Sequence, residues 1–123
     1  MQKDIRILIV DDDQKTRTEL KEFLEDEGYE IETAEFGQKA IDILNDDPKK
    51  FKLIVLDILL PDIDGIRILK MIKNDINPKI FVIMYTWYDY RDDFDVWASE
   101  AYIVKGKESQ KELLNQIKKL FGS

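Results

Sequence analysis

Short, branched and almost uncharged runs alternate with helix-like stretches along the whole chain, and that alternation leaves few folds open to it. Ile5-Arg6-Ile7-Leu8-Ile9-Val10 and Leu53-Ile54-Val55-Leu56 read as strands buried on both faces. Tyr29 to Ala34 alternates apolar and polar residues, as a strand with one more exposed face does, and Ile80 to Met84 and Ala101 to Val104 complete the set of strands. Between them, Thr16 to Asp26 places Leu20, Phe23 and Leu24 at helical spacing, with Gly28 as a stop. Gln38 to Asn45 carries Ala40, Ile41 and Leu44 on one face and ends at Asp46-Asp47-Pro48. Ile66 to Lys73 turns Ile66, Leu69 and Ile72 inward and is broken by Asn77-Pro78. Ser109 is the expected cap of a last amphipathic helix bearing Leu113, Leu114, Ile117 and Leu120. Tyr85 to Trp97, crowded with aromatics and aspartates, reads as a loop and a short helix from about Arg91 to Ser99. Five βα units with no repeat and no linker predict one α/β domain over residues 1–123, a doubly wound, five-stranded parallel sheet with helices on both faces.

The charged residues fall where such a sheet binds ligands. Asp11, Asp12 and Asp13 follow the first strand, Asp57 the third and Lys105 the fifth. All three are carboxyl ends of strands, the edge used in open parallel sheets. Carboxylates gathered there repel one another unless a hard cation sits among them, and oxygen ligands suit Mg²⁺. A lysine at the same edge points to a second anion, most simply a phosphoryl group. Taken one at a time these residues have plainer duties. An Asp-Asp pair after a strand is commonly a turn or a helix cap, as Asp13 is able to be, and Lys105 or Thr86 alone is an ordinary strand-end residue.

Composition narrows the chemistry. The chain has no histidine and no cysteine, which removes imidazole catalysis, thiolate zinc sites and disulfides and leaves oxygen ligands. A net charge of −7 argues against direct binding of nucleic acid, and Lys118-Lys119 reads as the solvated end of a helix. No apolar run approaches the ~18 residues of a membrane span, so no membrane insertion is expected. Met1-Gln2-Lys3-Asp4 lacks the features of a signal peptide, which predicts a cytoplasmic protein.

At this point the residues match a known family. Ile-Val-Asp-Asp after strand one, Leu-Asp-x-x-Leu-Pro-Asp-x-Asp-Gly after strand three, Thr86 after strand four and Tyr-Ile-Val-Lys at strand five occur in order. In this the chain resembles the receiver domains of two-component response regulators, most like stand-alone chemotaxis regulators, over essentially its whole length. The resemblance implies a flavodoxin-like three-layer α/β/α fold with strand order 2-1-3-4-5. It implies that Asp57 is the phosphoacceptor for a sensor histidine kinase or phosphotransfer protein, becoming an aspartyl phosphate. Asp12, Asp57 and the Leu59 backbone carbonyl would bind Mg²⁺, and Asp11 would do so through water. Lys105 and Thr86 would each take a phosphoryl oxygen, and Thr86 with Tyr102 would form the switch toward a downstream protein target. Such a switch catalyses only its own phosphorylation and dephosphorylation.

Three departures accompany the match. Gly106 follows Lys105 where the family usually has proline after a cis bond. A cis bond without proline costs roughly 2.5–4 kcal/mol, so a trans peptide and a rearranged loop are expected. Trp87 replaces the usual small residue after the threonine; either it covers Asp57 as a gate, or it packs over the short helix that follows. The segment from Thr86 to Lys105 is also a few residues short, so that helix lacks about a turn. These changes leave an alternative open, a degenerate receiver serving as a constitutive interaction module. A haloacid-dehalogenase-like phosphatase needs a second acid at Leu59 and has none, and a flavodoxin-like carrier would have its phosphate repelled by Asp11-Asp12-Asp13. Beyond the last helix stands Gly122-Ser123, which predicts either a protein that works by docking alone or a piece of a longer one.

Overall fold

The computed structural model of the chain describes residues 4–89 and 91–122. Met1 to Lys3, on which the reading of the amino terminus rests, lie outside that range, as do Tyr90 and Ser123. In chain order the elements are β1 (Arg6–Val10), α1 (Gln14–Asp26), β2 (Glu30–Ala34), α2 (Gly37–Asp46), β3 (Leu53–Leu56), α3 (Gly65–Met71), β4 (Phe81–Thr86), β5 (Ala101–Val104) and α4 (Ser109–Phe121). All neighbouring strands are parallel, in the order β2-β1-β3-β4-β5. The expected doubly wound sheet is what forms.

Its two faces follow from the period of two along each strand. Leu8, Val10, Ile54, Leu56, Val82 and Met84 pack on Ala40, Ile41 and Leu44 of α2 and on Ile68 and Leu69 of α3. Ile7, Ile9, Leu53, Val55, Ile83 and Tyr85 face Leu20 and Leu24 of α1 and Leu113 and Ile117 of α4. In and after α3 the expected inward residues all face the core: Leu69 and Ile72 are fully buried, Ile66 packs half-buried against the same cluster, and Ile68 joins them. The sequence pattern stops too early there, because the helix runs on through a π turn at Ile72–Ile76 closed by Asn77 N–H on the Ile72 carbonyl. Among the described residues no helix is long and apolar enough to cross a membrane.

Helix boundaries are set by short polar side chains. Asp13 caps α1, accepting from the Thr16 N–H at 3.1 Å and the Thr16 hydroxyl at 2.6 Å. Gly28 stops that helix with φ of 98°, a conformation costly for other residues. Ser109 is not a cap: Glu108 stands at that position without a side-chain bond, and the Ser109 hydroxyl turns elsewhere. The expected helix from Arg91 to Ser99 shrinks to a 3₁₀ turn at Phe94–Ala98. Asp89 and Asp93 there bind the backbone N–H groups of Arg91 and Asp95, an alternative to helical bonding that aspartate favours.

The start of α2 is capped from a distance. Phe36 supplies no side-chain bond, but Asp62, in the loop after β3, accepts from the Gly37 N–H at 2.8 Å and the Gln38 N–H at 2.9 Å. The Gln38 N–H, then that of Gly37, holds the Asp62 carboxyl below the usual carboxylate range. A depressed folded-state pKa stabilises fully above the unfolded value, about 4, and that contribution is lost as pH falls through the folded value. Asp62→Ala should therefore melt a few degrees lower at pH 7, and the gap should close in acid. Thermal melts across the acid range check this; a gap independent of pH would refute the charged cap.

Candidate functional site

Strand register builds the site. Val10 pairs with Leu56, so Asp11 and Asp57 leave adjacent strands side by side. Leu56 pairs with Met84 and Thr86 pairs with Val104, which carries Tyr85, Thr86 and Lys105 to the same edge. The backbone continues the ladder one step beyond the strands: Asp57 N–H reaches the Val10 carbonyl at 3.0 Å and Lys105 N–H the Thr86 carbonyl at 2.7 Å.

Lys105 is the hinge of the charge arrangement. Its Nζ donates to Asp11 Oδ2 at 2.6 Å and to Asp57 Oδ2 at 3.1 Å, and all three side chains are buried. Burial pushes the Asp11 carboxyl up, against the pull of Lys105 and of the Asp13 N–H. Burial alone would push the Lys105 ammonium down, but its bond to Asp11 and the charges of Asp11 and Asp57 outweigh it and leave its pKa raised. Asp12 is exposed, yet one oxygen each from Asp11, Asp12 and Asp57 lie within 4.8 Å of one another. Asp11 is steadied by the Asp13 N–H on its Oδ1 and by Arg17, whose guanidinium donates to the Asp11 carbonyl at 2.7 Å.

Two features show what the site has room to accept. Thr86 is fully buried and its hydroxyl has no hydrogen-bond partner among the described residues, an arrangement that costs stability unless something else is bound there. Leu59 is exposed, and while the Ile58 carbonyl takes bonds from Gly65 and Leu60, none falls on the Leu59 carbonyl among the described residues. Three carboxylates within reach of one another are donors a hard divalent cation takes, and the spare Leu59 carbonyl stands two residues past Asp57 in the chain.

Where the loop Leu60 to Asp64 ends, the Gly65 backbone lies directly against that of Asp57 and Ile58. A Cβ at Gly65 would lie 2.1 Å from the Asp57 carbonyl oxygen and 2.6 Å from Ile58 Cα. Close approach of two backbones, not an unusual dihedral, is what requires glycine here, since among the described residues only Gly28 and Gly122 have positive φ.

The chain matches the model of the response regulator receiver domain over residues 7–118. It belongs to that family. Among solved structures, the response regulator TrrA of Thermotoga maritima, in complex with Mg²⁺ and BeF, is 38% identical with a TM-score of 0.85. That likeness covers 94% of this chain and 98% of TrrA. TrrA in complex with the histidine kinase ThkA gives 38% and 0.84, over 94% of this chain and 97% of that one. A CheY-like receiver from Methanospirillum hungatei gives 32% and 0.87, over 96% and 94%. The transcriptional regulatory protein CpxR of Escherichia coli is 40% identical over 68 residues, which is 55% of this chain and 28% of CpxR. The receiver spans about a third or less of the length of such curated relatives.

Of the residues the sequence singled out, Asp11, Asp12, Asp57, Thr86 and Lys105 meet at this one edge. Tyr102 does not reach it; it stands half-buried on β5 with its hydroxyl donating to the Tyr88 carbonyl at 2.7 Å. Trp87 is 62% exposed, with its ring centroid 5.8 Å from Lys105 Nζ. The Lys105–Gly106 bond is trans, as expected. Arg17, Tyr85 and Ser109 are not among the site residues the sequence points to: Arg17 is an ordinary helix cation, Tyr85 is expected in the loop but ends up inside β4, and Ser109 is expected only as a cap. A cavity of about 260 Å³ opens beside the lysine, lined by Thr16, Glu19, Tyr85, Trp87, Lys105 and Gln110 among others.

Proposed function

We propose that this receiver, a single domain over residues 1–123, is a phosphorylation switch of a two-component system with Asp57 as the acceptor. The observation that carries the reading is a buried carboxylate flanked by an ammonium, two further acids and a buried hydroxyl lacking a partner. An Asp57 oxygen would attack the phosphorus of a phosphohistidine on a kinase or phosphotransfer protein. The P–N bond breaks with its electron pair passing to the imidazole nitrogen, and an O–P bond to Asp57 replaces it. Mg²⁺ held by Asp11, Asp12, Asp57 and the Leu59 carbonyl would neutralise the acids and the phosphoryl charge. The Mg²⁺–BeF and ThkA complexes of TrrA support both the cation and the kinase.

Lys105 then exchanges Asp57 for a phosphoryl oxygen while keeping Asp11. The Thr86 hydroxyl gains the acceptor it lacks by moving toward the phosphoryl group, and Tyr102 follows by leaving the Tyr88 carbonyl. That changes the surface around β5 and the 3₁₀ turn, biasing an existing equilibrium toward the form a downstream protein binds. The chain catalyses only its own transfer and loss, works in the cytoplasm, and meets protein rather than nucleic acid.

Intact mass after incubation with Mg²⁺ and a small acyl phosphate tests the acceptor. The wild type should gain one phosphoryl group and Asp57→Asn none. Gain by both would move the acceptor elsewhere. No gain by either, with no heat of Mg²⁺ binding, would turn the reading to a constitutive interaction module. Trp87, held over Lys105, is proposed to narrow the approach to Asp57. Trp87→Ala should then speed labelling several-fold at unchanged Mg²⁺ affinity, and an unchanged rate would dismiss the gate.

A further inference from the structure

The loop that follows Lys105 starts with Gly106, which has no side chain to anchor it. A Cβ on Gly106 would meet nothing within 4 Å, so no packing fixes the backbone just after the lysine. Glycine also gives that backbone the widest freedom. Yet the Lys105 ammonium must sit between Asp11 and Asp57 within hydrogen-bond distance of both. On the strand side the loop is tied by the Lys105 N–H on the Thr86 carbonyl. On the far side it is tied through Ser109, whose N–H and hydroxyl approach the Gly106 carbonyl at 3.3 and 2.9 Å.

Ser109 is in turn held by Tyr85. The two hydroxyl oxygens are 2.7 Å apart, and both residues are only 4% exposed. The direction of the bonds follows from proton counting. The Gly106 carbonyl only accepts, so the one Ser109 hydroxyl proton goes to it, and the Tyr85 hydroxyl must donate to Ser109. Buried polar chains of this kind are strong when every member is satisfied. Burial also raises the Tyr85 pKa, in spite of its bond to Ser109, so the donor keeps its proton at neutral pH.

We propose that Tyr85 and Ser109 are positioning residues for phosphoryl transfer: a relay from β4 through Ser109 to the Gly106 carbonyl holds the Lys105 loop in its working place. The proposal rests on Lys105 as the partner of the phosphoryl oxygen. Tyr85 is next to Thr86 on the same strand, so the group that holds the lysine loop and the hydroxyl proposed to move share one strand end. The acids that would bind Mg²⁺ follow β1 and β3, where Asp11 N–H and Asp57 N–H are tied to the Ala34 and Val10 carbonyls without the relay.

The test measures labelling by a small acyl phosphate, followed by intact mass, beside Mg²⁺ affinity from isothermal titration. Tyr85→Phe and Ser109→Ala should each slow labelling about five- to tenfold, what one hydrogen bond commonly carries. Neither should weaken Mg²⁺ binding. The double variant should be no slower than the slower single one, because either change cuts the same chain. Ser109→Thr, whose extra methyl has the adjoining cavity to enter, should restore the rate. A parallel run of Lys105→Met separates the premises. If Lys105→Met labels at the wild-type rate, the role of the lysine is wrong and the relay has nothing to position. If Lys105→Met is slow but Tyr85→Phe is not, the relay is overturned and the lysine stands. Loss of Mg²⁺ affinity in step with the rate, or no recovery in Ser109→Thr, would reduce the pair to general support of the fold and overturn the proposal.

Discussion

Gly65→Ala should lose about 3 kcal/mol of stability or more, and take the Asp57 site with it. The added methyl would lie 2.1 Å from the Asp57 carbonyl oxygen and 2.6 Å from Ile58 Cα, well inside contact distance of main-chain atoms. Main chain cannot step aside as a side-chain tip can. The Gly65 N–H is bound to the Ile58 carbonyl at 2.8 Å, and the Asp57 N–H to Val10 across the sheet. Relief therefore comes either by breaking the Gly65–Ile58 bond or by shifting Asp57 out of register with Asp11. Both effects are measurable: chemical denaturation gives the stability loss, and isothermal titration gives Mg²⁺ affinity in the fraction still folded. An alanine variant within about 0.5 kcal/mol of wild type with full Mg²⁺ affinity would show that the loop relaxes without touching the site.

The same glycine illustrates how far the sequence was legible. Its place at the end of the Leu60-to-Asp64 loop is plain in the sequence, but the reason it must be glycine is proximity to the Asp57 and Ile58 backbone. Proximity is a tertiary fact, set by β3 and α3 being pressed together, and no local pattern carries it. The sheet itself was readable because its information is local: short branched apolar runs, strand lengths, and a charged residue directly after the first, third and fifth of them. The same holds for Asp13, whose capping of α1 follows from its position three residues before Thr16. Asp62 lies at the other extreme. It caps α2 from 25 residues away, and only the folded loop brings it to the Gly37 N–H.

The candidate site divides in the same way. Asp11, Asp12, Asp57, Thr86 and Lys105 could be picked out because each ends or follows a strand in a recurrent pattern. Arg17 and the Tyr85–Ser109 pair could not, since their value lies in a carbonyl or hydroxyl that the sequence does not show to be near. Ser109 looked like a cap because serine before an amphipathic stretch usually is one. Here Glu108 takes that position and Ser109, one residue inside the helix, is drawn to the Gly106 carbonyl. The short helix after β4 misled for another reason: its aspartates satisfy nearby N–H groups themselves, and helical bonding loses the competition.

Replacing Lys105 by methionine isolates the electrostatics of the site from its shape. Methionine fills much the same volume, so packing changes little, but Asp11 and Asp57 are left buried at close range with no cation between them. Breaking a buried ion pair by removing one partner costs about 3 kcal/mol or more, since the remaining charge is neither solvated nor paired. In the absence of Mg²⁺, Lys105→Met should accordingly unfold at markedly lower denaturant than wild type. Mg²⁺ should then restore much of the difference, because a divalent cation among the same oxygens supplies the missing positive charge and binds the folded state alone. The variant should also bind Mg²⁺ more tightly than wild type, as no ammonium competes for Asp11 and Asp57. Denaturation with and without Mg²⁺, paired with titration of the cation, checks both effects. A stability loss that Mg²⁺ leaves untouched would mean that the three acids do not act together as a cation site. No loss at all would mean that Asp11 and Asp57 reach water as soon as the lysine is gone, and that Lys105 does not hold the site together.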